Sequence, residues 1–474
     1  MARPSRLPAA SWALFDVANS AFPLVMTTAV FVIYFKSVIV GGDDPGRSDF
    51  LWGLSISLSA AIVAFSSPFI GSVADIYGAR KRLLFGYTLV AVLSTIALSF
   101  SGAGMIAYAM VFFILANAGF EGGMVMYGSL LPSVATSENT GRLSGIGWAG
   151  GYIGGLVCLL ATMGWATSGE VPKVILAVAV WFSVLSIPLF AFVPEPAPDP
   201  HATKRPLREL KNTLWMVWRN PGLRLFFLAY FIYNDAIITV FSFAAPFATD
   251  VLHFSFKEVI LLVAGVQVTG AIGAFLFGFL SDKIGHIRTI SITLMLWVGV
   301  SSGAFATALE LPIWQQNAEA HAVEIAAGSG AENETAVAAQ ETQEGATGAA
   351  LPATATTEAP PKKSPLRSNI FWILGLLVGF SMGATQSSSR AFLATITPNE
   401  ISGRLFGLYA IAGRFSAVIG PFLFGVISFA TGSKAWSVLA LVVLFSVGLA
   451  LVRRVNETQV AEELKAAASA ANAG

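Results

Sequence analysis

Residues 71–82 read GSVADIYGARKR, and residues 278–288 read GFLSDKIGHIR. Both fit G-x-x-x-D-x-x-G: Gly71, Asp75 and Gly78 return 207 positions later as Gly278, Asp282 and Gly285. Each copy follows an apolar run about as long as a bilayer crossing, ~20 residues. Each is followed by a basic residue, Arg80 in the first and Arg288 in the second. A second string repeats as well. Gly141-Arg142-Leu143-Ser144-Gly145 is answered 262 positions later by Gly403-Arg404-Leu405-Phe406-Gly407. The two offsets differ by 55, so the second copy holds about that many extra residues between Asp282 and Gly403. The stretch 310–365, rich in Ala, Glu, Thr and Gly, has that size and no apolar period. Such low complexity predicts a disordered loop.

Composition names the solvent. Of 474 residues, 55% are hydrophobic and 12% charged, with mean hydropathy +0.71. Soluble domains carry about twice that charge, ~25%. Candidate spans run over 12–40, 50–73, 82–101, 104–131, 143–165 and 172–193, then 222–247, 257–281, 289–308, 369–393, 402–430 and 434–452. The prediction is an all-α integral membrane protein of twelve transmembrane helices in two pseudo-symmetric six-helix bundles, residues 1–193 and 222–452. A polar linker, 194–221, joins them, and 453–474 form a tail. Arg3 and Arg6 imitate a signal peptide, but the apolar run behind them reaches Val40. That exceeds a signal core of ~7–15 residues and predicts a retained span.

Several function classes drop out. A net charge of +1 gives no footing for nucleic acid. Cys158 is alone, so no internal disulfide forms, and no two His stand at ligand spacing, so no metal or other cofactor is expected. No paired His or Ser–base arrangement points to an enzyme, and no G-x-x-x-x-G-K-[ST] points to an ATP-driven pump. Basic residues settle the orientation. Lys204, Arg205, Arg208, Lys211 and Arg219 in the linker, Arg80, Lys81 and Arg82, and Arg453 and Arg454 all fall on one side. The positive-inside rule makes that side cytoplasmic, with both termini. The acidic insertion falls opposite. Short tails on a compact chain favour the bacterial plasma membrane, with the protein a monomer. In the linker, Leu207, Leu210, Leu214 and Trp218 at helical spacing predict an amphipathic helix on the membrane surface.

Twin six-span halves with matching loops predict a transporter that rocks one half against the other. Gly78 and Gly285 permit the positive φ of a tight interhelical turn. Asp75 and Asp282 end their helices and can face the positive N-termini starting near Gly141 and Gly403. Gating contacts are one reading of the motif residues Gly71, Asp75, Gly78, Arg80, Gly278, Asp282, Gly285 and Arg288. The other is a polar helix cap.

The paired loops in a twelve-span chain resemble the major facilitator superfamily. Further strings narrow this: Trp12-Ala13-Leu14-Phe15-Asp16, Ala18-Asn19-Ser20-Ala21-Phe22, Gly147-Trp148, Gly151-Tyr152-Ile153-Gly154-Gly155, Tyr233-Asn234-Asp235, Phe406-Gly407-Leu408-Tyr409-Ala410 and Gly420-Pro421. They resemble the branch of the autophagy-related vacuolar amino-acid efflux permeases and their bacterial relatives. The chain departs from that pattern in its long insertion, in Ala236 after the Asn-Asp pair, and in Arg414 where Lys is expected. The resemblance implies proton- or gradient-linked movement of a small solute. Amino acids are the substrate class of the fungal members. It also implies a cavity lined by the first, fourth, seventh and tenth spans.

Polar residues fall in those four spans. Asp16 and Asn19 share a face with Pro23; Asn117 stands four before Glu121, Tyr230 four before Asn234 with Asp235 adjacent, and Gln386 four before Arg390. Charges at bilayer depth cost about 2.5–3.5 kcal/mol each, so they face a cavity or a partner. Glu121 or Asp235 is the candidate proton carrier. Arg390 is the candidate to hold a substrate carboxylate or to pair with one of these acids, and Arg414 suits either part. The blander readings are an interfacial Asp16 and a structural Glu121–Arg390 pair. A sugar or cell-wall-fragment permease and a non-transporting receptor are the competing functions.

Overall fold

The fold is built from helices whose apolar stretches outrun their polar ends. The computed structural model describes residues 6–470 except 42–43, 137, 201, 253, 310, 312, 315 and 318–363. Among the described residues, twelve helices are long and apolar enough to cross a membrane. Spans 1 to 6 are Arg6–Ile39, Gly46–Tyr77, Arg80–Leu98, Ile106–Ser129, Thr140–Thr167 and Val171–Phe192. Spans 7 to 12 are Pro221–Ala244, Leu261–Ile284, His286–Ala308, Pro365–Ile396, Asn399–Thr431 and Ala435–Val452. Outside the spans lie, among the described residues, a short helix, Leu131–Val134, a linker helix, Pro206–Arg219, and a C-terminal helix, Glu457–Ala470. Most of 310–365, expected as a disordered loop, lies outside the described residues.

Helices begin and end where their caps say. Asp44 accepts from the Arg47 amide at 2.9 Å before span 2. Ser255 and Glu258 form a capping box ahead of span 8. Gly78 at φ 56° and Gly285 at φ 93° turn the chain out of spans 2 and 8. Span 1 is already helical at Arg6, before the apolar run begins, because a helix near lipid satisfies its own backbone and continues past its apolar face. Asp16 therefore sits inside the helix rather than at its edge. Pro23 brings no N–H, and the chain from Pro23 to Ala29 widens into π-helical turns, with the Val30 amide reaching Val25 at 2.9 Å.

Within the first half, span 1 packs on spans 5 and 6, and span 4 on spans 2 and 3. In the second half, span 10 packs on spans 8 and 9, and spans 11 and 12 both pack on span 7. The halves meet chiefly through spans 2 and 11 and through spans 5 and 8. Leu160, Ile187, Phe422 and Val443 are exposed on the outside, the surface of a protein whose solvent there is hydrocarbon.

Candidate functional site

The two repeated loops close the linker end of the molecule crosswise. Asp75, at the foot of span 2, accepts from the amides of Gly403 and Arg404 at 2.9 Å each, at the start of span 11. Asp282, at the foot of span 8, accepts from the amides of Gly141 and Arg142 at 2.7 and 2.8 Å, at the start of span 5. Each carboxylate thus caps a helix of the opposite half, where free amides and the helix dipole favour a negative charge. The approach needs glycine. A Cβ at Gly71 would run into the backbone of Gly403, and one at Gly141 into Ser281 and Asp282.

The two copies are unequal. Asp75 also binds Arg80 Nε at 2.9 Å and Arg404 Nε at 3.2 Å. Arg80 goes on to the Asn399 side chain at 2.9 Å and to its carbonyl. Arg404 reaches Glu209 of the linker helix at 2.6 Å and Asp199 of the linker. In the second copy Arg288 is exposed. Gly285 is followed by two residues before Arg288, whereas Gly78 is followed by one before Arg80. One extra residue rotates a side chain by about 100° round a helix and turns Arg288 away from Asp282.

One layer inward, Asp16 and Arg390 form a buried ion pair at 2.9 Å, joining span 1 to span 10. Arg390 also donates to Ser144 Oγ at 3.0 Å and to the Ser144 carbonyl at 2.8 Å. Its guanidinium lies 4.9 Å from the Trp12 ring, 5.5 Å from Tyr127 and 5.3 Å from Trp148. Trp12 and Tyr127 stack at 4.4 Å and exchange bonds to each other's carbonyls. The cation is thus satisfied on its edge by oxygens and on its face by rings. Arg390 meets neither Glu121 nor Asp235, the acids named for it from sequence. It stands near the linker end of span 10, and Asp16 is the acid at its level.

Glu121 pairs instead with Arg414, about midway along spans 4 and 11. This pair also bridges the halves, but it is wetter: 14% of the Glu121 side chain and 33% of the Arg414 side chain are exposed. Next to it, Gln386 donates to Asn234 at 3.2 Å, and Asn234 to the Gly413 carbonyl at 3.3 Å. Tyr230 stacks on Tyr409 at 4.0 Å. Asp235 lies apart. It is buried inside the second half, accepting from the Gly420 amide at 2.7 Å beside Pro421. Asn117 donates to Ser59 of span 2 at 2.7 Å, and Asn19 is buried on span 1 with its amide nitrogen unpartnered. Among the described residues no group of His, Cys, Asp or Glu is placed to hold a metal.

The sequence reading left out Ser144, Trp12, Tyr127, Trp148, Arg404, Asp199 and Glu209 as site residues. Ser144 and Arg404 belong to the repeated G-R-L strings, and that repetition was the available signal. Trp12 and Trp148 stand in the strings that carry the resemblance, and nothing local marks Tyr127.

The geometry defines a class: two six-helix bundles, related by a repeat, with a polar seam between them. Solved structures agree on the fold. A human organic anion transporter superposes with TM-score 0.68 at 14% identity, covering 95% of this chain and 100% of that one. A proton:xylose symporter of the major facilitator superfamily gives 0.67 at 13%, covering 97% and 98%. The family is narrower than the fold. The model described as "Vacuole effluxer Atg22 like" matches residues 51–329 and 365–465. The chain belongs to that family and is a transporter of the major facilitator type. An uncharacterized transporter of the same type from Bacillus subtilis is 24% identical over 94% of each chain. Autophagy-related protein 22 of Saccharomyces cerevisiae is 22% identical over 82% of this chain and 74% of its own.

Proposed function

We propose that this protein is a secondary active transporter that moves a small polar solute, an amino acid foremost, by alternating access coupled to protons. The observation that carries this is the Glu121–Arg414 pair. It lies between the halves, midway along its spans and partly open to water. A zwitterion can divide such a pair, its carboxylate going to the guanidinium and its ammonium to the carboxylate. Glu121 is also the acid placed to give up or take a proton as the pair opens and closes. Asp235, held within one half, is the weaker candidate.

The crossed carboxylates at the linker end act as the gate in this reading. The Asp16–Arg390 pair forms a second bar behind them. The basic linker supports a cytoplasmic location for that end and both termini, and the bacterial plasma membrane is the membrane proposed for a monomeric protein. The Bacillus subtilis relative supports the last point only by its source.

The test is uptake into proteoliposomes under an imposed proton gradient, with amino acids offered singly. Accumulation should follow the gradient, and Glu121→Gln, which removes both the proton carrier and the seat of the ammonium, should abolish it. Flux that ignores the gradient would refute proton coupling. A sugar is the second reading. The Asn234–Gln386 amides beside the Tyr230–Tyr409 stack suit hydroxyl groups and a sugar face. A melting temperature raised by sugars and indifferent to amino acids would select it.

A further inference from the structure

The linker helix carries an apolar stripe that no described part of the chain covers. Its inner face, with Glu209, Thr213 and Asn220 at or just past its end, is buried. Leu207, Leu214, Trp215 and Trp218 lie on the far side, and Trp218 is 69% exposed. Their spacing of seven, one and three sets them on one strip of helix. Exposed Lys211 lies within the strip, and exposed Lys204, Arg205, Arg208, Arg219 and Arg224 lie about it. The helix's own carboxylate, Glu209, is turned inward and occupied by Arg404 and Thr203. Arg219 lies 3.8 Å over the Trp215 ring, and Arg224 lies 5.1 Å over Trp218. Asn220 alone separates the helix from span 7, so the strip begins where the hydrocarbon ends.

We propose that this helix docks on the anionic headgroup layer of the phospholipid leaflet and that docking holds the linker-end lock shut. Tryptophan and leucine enter the interface while the basic rim meets lipid phosphates. The coupling runs through Glu209. The helix touches span 2 of the first half and spans 7 and 11 of the second. Arg404 binds Glu209 and Asp75 at once. When span 11 parts from span 2, the helix cannot keep both neighbours and must shift against the leaflet. Lipid then binds the two states unequally, which is the condition for shifting their balance. The inference rests on reading the crossed carboxylates as a gate.

Spin labels at Glu138→Cys and Glu400→Cys, exposed positions just before span 5 and in the first turn of span 11, report the opening of that end in a Cys158→Ser background. Double electron–electron resonance distances are taken in nanodiscs of phosphatidylcholine, with and without phosphatidylglycerol. Anionic lipid should lower the open-to-closed ratio about fivefold, the weight of one basic side chain drawn to such a surface. Trp215→Ala with Trp218→Ala should remove the response; the paired Trp→Phe variant, which keeps an apolar strip, should retain most of it. An open population indifferent to lipid charge, or an alanine variant that still responds in full, overturns the proposal and leaves the gate standing. An end that stays closed in every lipid overturns both.

Discussion

Arg390 shows how a buried cation is made tolerable. Its partners come from three spans: Asp16 from the first, Ser144 from the fifth and the Tyr127 ring from the fourth. Removing one partner of a buried pair strands the other and costs about 3–5 kcal/mol, whereas removing both together costs far less. Arg390→Leu should therefore lower the stability of this closed form by roughly that amount. Adding Asp16→Asn should restore most of it, as read by thermal melting of the single and double variants. A double variant as unstable as Arg390→Leu would show that the rings and Ser144, rather than the acid, dominate the site.

At the scale of elements, the crossed contact is a helix foot set against a helix start, made twice with different strength. Asp75 holds two amides and two guanidinium groups; Asp282 holds two amides. Asp75→Asn leaves the buried Arg80 without a carboxylate and takes one of three from Arg404, a loss of about 3–5 kcal/mol. Asp282→Asn keeps one acceptor oxygen and should cost about 1 kcal/mol, the scale of a helix cap. Alkylation of a cysteine at Ser402, buried between the halves, would compare them. Asp75→Asn should raise the rate by more than about a hundredfold, and Asp282→Asn by less than about tenfold.

The C-terminal helix is fixed by a related device. Glu457 accepts from the His286 amide at 2.9 Å and caps span 9, and Val460 and Leu464 are buried. Burial pushes the Glu457 carboxyl above its ordinary 4.5, against the pull of the Ile287 and His286 amides. A carboxyl raised on docking holds its proton more tightly when docked. Its contribution to docking is thus fully present below the ordinary value and is lost as pH rises through the raised one. Hydrogen-exchange protection of the helix, corrected for intrinsic rate, should fall across that window, and Glu457→Gln should flatten the response.

Over the whole molecule, the repeat explains why these devices come in pairs. Glu195 accepts from the amides of Lys81 and Arg82 in the first half as Glu457 does from those of His286 and Ile287 in the second. The two glutamates stand 262 positions apart, the same offset as the G-R-L strings. The sequence by itself determined the solvent, the twelve spans and their halving. Apolar length and repetition are properties of the chain read in order, and a bilayer leaves few other folds. It also named Asp16, Glu121, Arg390 and Arg414 as residues needing an explanation, because a charge in hydrocarbon is costly wherever it stands. Only the tertiary structure decided who pairs with whom. Partnership depends on depth, and depth depends on where each helix starts and how it tilts. Span 1 begins early enough to lift Asp16 to the level of Arg390, while Arg414, on a span outside the expected four, meets Glu121 across the seam. Such distances are set by packing between helices far apart in the chain, and no local pattern records them.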